Sequence, residues 1–78
     1  MKLKVKLPSA NDAVLFADKC NKYECDIDLC YQHHVVDAKS TLGVLELINY
    51  DCTADIRTED TDTIDEFKED INLWIVEE

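Results

Sequence analysis

From Lys2 to Leu7 the chain alternates lysine with Leu3, Val5 and Leu7, the period of two that sets one face of a strand on a core and the other in water. Pro8-Ser9 breaks this run. Ala13, Phe16, Ala17 and Cys20 then recur at three- and four-residue spacing, which predicts a first helix that ends near Asn21 to Tyr23, with Ser9 or Asn11 as its N-cap. From Glu24 to Tyr31 the pattern returns to two: Cys25, Ile27, Leu29 and Tyr31 alternate with Glu24, Asp26, Asp28 and Cys30. The polar turn Gln32-His33-His34 leads into a short strand at Val35 to Asp37, so this stretch reads as a hairpin.

Ser40 is placed to cap a short second helix carrying Leu42, Val44, Leu45, Leu47 and Ile48. Gly43 weakens that helix by ~1 kcal/mol relative to Ala. These apolar residues are too many for one buried stripe, so some of them stay exposed. A fourth strand near Thr53 to Thr58 rests on Ala54, Ile56 and Thr58. After the acidic loop Glu59 to Asp62, Thr63 and Glu66 read as a capping box, and Ile64, Phe67, Ile71, Trp74 and Ile75 form a helical stripe that carries the third helix close to the C-terminus. The order β-α-β-β-α-β-α predicts an α+β two-layer sandwich, with helices covering one face of an antiparallel sheet. Its expected core includes Cys25, Ile27, Leu29, Val44, Leu47, Phe67, Ile71 and Trp74.

Composition sharpens this picture. Seventy-eight residues, 46% of them hydrophobic with one Gly and one Pro, make one densely structured domain, 1–78, too small to enclose a deep catalytic cavity as well as a core. No enzymatic activity is expected. The formal charge of −10, from 8 Lys and Arg against 18 Asp and Glu, repels nucleic acid and anionic membrane alike. A basic protein surface is the natural complement. No apolar run approaches the ~20 residues of a transmembrane helix, and the start of the chain alternates charge where a signal peptide would be continuously apolar. The expected location is cytoplasmic, where the four cysteines stay reduced thiols.

The segment Val35-Val36-Asp37-Ala38-Lys39-Ser40-Thr41-Leu42-Gly43-Val44-Leu45-Glu46-Leu47 resembles the region around the regulatory serine of HPr, the phosphocarrier of the bacterial sugar phosphotransferase system. The likeness extends back through Asn21 to Leu29 and forward through Ala54-Asp55-Ile56 to the last helix. It implies an open-faced sandwich, three helices on a four-stranded antiparallel sheet of order 1-4-2-3. In the same register Leu7-Pro8-Ser9-Ala10-Asn11-Asp12-Ala13 falls on the family's active-site stretch. Ser9 stands where the phosphorylated histidine would be and Asn11 where the phosphate-binding arginine would be. A serine ester is too stable to pass its phosphoryl group onward, and Asn11 lacks the charged fork that grips a dianion.

The resemblance further implies that Ser40 can be phosphorylated and can then recruit a transcription regulator; the alternative is a plain N-cap. It matches Thr41, Leu42 and Leu45, beside Lys39, to an exposed docking surface; the alternative is scattered surface apolarity. Cys20, Cys25 and Cys30 lie five apart, not at the Cys-x-x-Cys spacing of zinc knuckles, and Glu59, Asp60, Asp62 and Asp65 lack the glycine and ligand spacing of a calcium loop. No metal or cofactor is expected. The reading reached is a non-catalytic regulatory module that binds a protein of the phosphotransferase system or a transcription regulator. An atypical phosphocarrier is the runner-up, and a thiol or metal sensor a third class.

Overall fold

In the computed structural model, which describes residues 1–76, four strands and three helices form in the expected order. Strand β1 spans Lys2–Val5, helix α1 Ala10–Cys20, β2 Ile27–Tyr31, β3 His34–Asp37, α2 Thr41–Leu45, β4 Cys52–Ile56 and α3 Thr61–Asp70, followed by a 3-10 turn at Asn72–Trp74. The sheet is antiparallel with order β1-β4-β2-β3.

Its register explains the alternation in the sequence. Leu3, Ala54, Leu29 and Val36 lie side by side across the four strands on the helix-covered face. On the opposite face run two polar rows, Lys2-Asp55-Asp28-Asp37 and Lys4-Thr53-Cys30-Val35. Arg57 bridges to Asp28 at 2.8 Å and the N-terminal ammonium lies 3.6 Å from Asp55, so two of the three aspartates in the first row have a cation beside them. Between the layers, Phe16, Phe67, Leu7, Ile27, Leu29, Ile56 and Ile71 are fully buried. Trp74 meets Phe16, and Tyr23 meets Phe67, each edge to face at 5.6 Å, the geometry aromatic quadrupoles favour.

Gly43 has a role that helix propensity does not reveal. A Cβ at this position would come within 3.1 Å of Val36 Cβ, so α2 rests on β3 at a distance only glycine accommodates without a shift. The helix is short and its apolar residues divide: Val44 and Leu47 are buried as expected, and Leu42 is exposed.

Several boundaries differ from the sequence reading. β2 begins at Ile27, so Cys25 lies in the preceding loop, where no ladder enforces alternation, and is half-buried instead of core. The third helix starts at Thr61 with Asp60 as N-cap, its carboxylate accepting from Asp62 N–H at 3.1 Å. Thr63 is therefore a first-turn residue whose hydroxyl donates to Asp60 at 2.9 Å, not a cap. That helix also stops at Asp70. The tighter turn that follows swings Trp74 towards α1 and lets Ile75 bridge to Val5. Backbone bonds from Lys6 N–H to Trp74 O and from Val76 N–H to Lys4 O, both 2.9 Å, then cover the outer edge of β1.

Candidate functional site

At the start of α1 the backbone N–H groups of the first turn point outward with the positive end of the helix dipole, an arrangement suited to an anion. The chain sets a carboxylate of its own beside it. Asp12 N–H donates to Ser9 Oγ at 3.2 Å, and Ser9 Oγ–H donates to Asp12 Oδ2 at 2.6 Å. From 62 residues away, Trp74 Nε1–H donates to Asp12 Oδ1 at 2.9 Å. Both carboxylate oxygens are thus held. The Ser9 hydroxyl, and after it the Trp74 indole, keep the Asp12 carboxyl below its usual value. Asn11 is exposed beside this lock. Chemically the arrangement offers a serine hydroxyl committed to a carboxylate at a helix start already occupied by negative charge.

Ser40 caps α2, accepting from Gly43 N–H at 3.3 Å. It is exposed, and among the described residues no second side chain bonds to it as Trp74 does to Asp12 at α1. Lys39 was expected to stand beside it, but its ammonium donates to the Tyr23 carbonyl and its N–H to Asp37 Oδ1 at 2.9 Å. Thr41 is half-buried, Leu42 is 79% exposed, and Leu45 is half-buried and packed against the core. Leu45 is therefore less open than the sequence suggested, because it sits where the short helix turns back onto the sheet.

Two bonds orient the helix pair. Asn21 Nδ2 donates to Lys39 O at 3.0 Å, and Asn49 N–H donates to Leu7 O at 2.7 Å. The end of α1 therefore meets the start of α2, and the approach to α1 meets the turn after α2. Ser9 and Ser40 consequently lie at opposite ends of the α1–α2 pair. The structure brings Ser9, Asn11 and Asp12 together at one end and leaves Lys39, Ser40, Thr41 and Leu42 at the other.

The cysteines are all free thiols. Burial pushes Cys20 up to about 12 and Cys52 up to about 11, and burial with Asp28 and Asp55 nearby also raises Cys30. These three are protonated and weakly nucleophilic at neutral pH. Among the described residues, no three His, Cys, Asp or Glu side chains converge as metal ligands, and no helix is long and apolar enough to cross a membrane.

Sequence reasoning missed three features. Trp74 reaches Asp12 across the molecule; Tyr31 stacks on Tyr50 at 4.5 Å with their planes 29° apart; and Lys22 Nζ, at 2.7 Å, shares Asp70 with the Tyr23 hydroxyl. Only the apolar stripe that includes Trp74 hinted at the first.

Neither family profiles nor curated protein sequences match this chain. Solved structures do. It superimposes on HPr-C-His from Thermoanaerobacter tengcongensis with a TM-score of 0.69 at 19% identity, covering 92% of this chain and 89% of that one. The chain has the HPr fold. The phosphocarrier protein HPr of Bacillus anthracis str. Ames matches likewise, with a TM-score of 0.63 at 22% identity, 91% of this chain and 93% of that one being covered. The HPr fold thus places Ser9 and Asp12 at the start of its first helix and the exposed Leu42 on its short second helix.

Proposed function

We propose that this HPr-fold chain is a non-catalytic protein-binding module of the cytoplasm, related to the phosphotransferase system, that docks to a partner through α2 and the start of α1. The observation that carries this reading is the lock at α1: Asp12, gripped by Ser9 and Trp74, sets a fixed negative charge at the helix start where a transferable phosphoryl group would need to bind. Charge repulsion and the lack of an imidazole in Leu7 to Ala13 both oppose uptake there. Leu42, exposed on a helix that glycine holds close to the sheet, supplies an apolar contact, with Leu45 and Thr41 at its margin. Lys39 contributes through its stem, since its ammonium is engaged within the fold.

Ser40 is the regulatory position of this reading. A phosphoryl group there would add two negative charges beside Leu42 and favour a partner bearing arginine next to an apolar groove. The test has two arms. Incubation with phosphoenolpyruvate and enzyme I should leave the protein without acid-labile label; labelling would turn the reading into that of an atypical phosphocarrier. Pull-downs with Ser40→Asp, Ser40→Ala and Leu42→Ala variants of confirmed fold should show partner loss on the leucine change. If Leu42→Ala retains every partner, docking through α2 is wrong.

A further inference from the structure

The turn after α2 carries an aromatic surface for which the packing of the core gives no reason. Tyr31, at the end of β2, is half-buried against the core, and Tyr50 lies stacked on it with 45% of its own surface in water. The platform is fixed in place. Asn49 adopts the left-handed region at φ 68°, which asparagine tolerates better than most residues, and its N–H is tied to Leu7 O at 2.7 Å. Tyr50 N–H closes the turn on Leu47 O at 3.4 Å. An exposed tyrosine held by a stacked ring beneath and a pinned backbone loses little freedom when something lies on it.

The surroundings select what that something is. Glu46, exposed on the same turn, has its Oε2 3.2 Å from the imidazole of His34, the residue paired with Tyr31 across the β2–β3 ladder, so one carboxylate lies near the stack. The whole chain carries −10. An anionic ligand is repelled at long range, and an exposed ring face on so acidic a chain, with the Glu46 carboxylate in its vicinity, attracts a planar cation. Guanidinium fits better than ammonium, because it is flat, weakly hydrated and able to stack and to bond a carboxylate at the same time.

We propose that the Tyr31–Tyr50 stack, with Glu46 near it, seats an arginine side chain of a basic partner protein. This rests on the docking reading above and extends its contact surface round the turn that joins α2 to the approach of α1 through the Asn49–Leu7 bond. Leu42 then gives the apolar contact and Tyr50 the cationic one.

The capped peptide Gly-Leu-Arg-Leu-Gly, and its lysine and citrulline versions, would be titrated into the 15N-labelled full chain and followed by amide shifts. The arginine peptide should move resonances around Tyr50 and Tyr31 and bind about two- to fivefold more tightly than the neutral citrulline peptide. Tyr50→Ala should remove that difference and Tyr50→Phe should keep it, both variants being checked for native shift dispersion. Equal binding of citrulline, shifts confined to another surface, or no binding by any peptide would overturn the proposal. Loss of affinity in Leu42→Ala but not in Tyr50→Ala would leave the docking face standing without its arginine seat. Loss in Tyr50→Ala alone would keep the seat and remove α2 from the contact.

Discussion

Ser9 and Ser40 cap the first two helices with the same side-chain chemistry, but their surroundings are unalike. At α1 the serine both accepts and donates, its partner carboxylate is gripped from behind by an indole, and that indole packs on Phe16. At α2 a single 3.3 Å bond to Gly43 N–H closes the cap, and the helix lasts five residues. The difference teaches that a helix start becomes rigid when a remote element reaches it, not because of the capping residue alone. The start of α1 is locked, and the start of α2 is left accessible.

Removing the remote element should break the comparison most severely. Trp74→Ala should cost ~3–5 kcal/mol, a large part of the stability of so small a domain, as read by chemical denaturation. Trp74→Phe keeps most of the ring and loses only the N–H, at ~1 kcal/mol. If Trp74→Ala were no worse than alanine at the neighbouring Leu73, which is 80% exposed, α1 would not be anchored from the C-terminal side.

The next effect belongs to α2, whose firmness comes from close approach. Gly43→Val should destabilise by ~1–3 kcal/mol, since even the first carbon of the new side chain meets Val36 at 3.1 Å. A neutral result in thermal melts would mean that α2 rides freely on β3. Truncating the caps themselves should then rank in order: Ser9→Ala at ~1–2 kcal/mol and Ser40→Ala at ~0.5–1 kcal/mol. Equal costs would erase the contrast between the two starts.

Protons give the smallest and most selective probe. Asp12 lies below the ordinary 3.8 through Ser9 and Trp74, and Asp70 does so through Lys22 and Tyr23. A carboxyl whose folded value is depressed stabilises the protein above its unfolded value and loses that contribution as pH falls through the folded one. The loss therefore lies below about pH 4. Followed by Trp74 fluorescence, the acid limb of stability should be shallower in Asp12→Asn than in the wild type.

Much of this fold was legible because it depends on short periods. Alternation at Lys2 to Leu7 and at Glu24 to Tyr31 placed two strands, which prove shorter at Lys2–Val5 and Ile27–Tyr31, and the spacing of Ala13, Phe16, Ala17 and Cys20 placed α1. Local chemistry misled where two caps competed. Thr63 with Glu66 satisfied a capping pattern, but Asp60 opened the helix first and took Thr63 as a hydrogen-bond donor. Leu45 and Leu42 could not be separated on a helix with barely more than one turn, because the sheet, not the helix period, decides which of them is covered. The lock at α1 was hidden for a different reason. Ser9 and Asp12 are near neighbours, but the indole that completes the site arrives from Trp74, and nothing in a sequence pattern measures a distance across 62 residues.

The segment from Trp74 to Val76, described above as covering β1, also limits how copies of this chain can associate. A sheet with two bare edges can add strands at both ends and grow without stopping, the route to fibres. Here Trp74 O and Val76 N–H already engage Lys6 and Lys4 on the outer edge of β1, and β3 lies at the other edge of the sheet. Two copies joined there consume the open edge of each. Edge-to-edge pairing through β3 alone would therefore close at two copies.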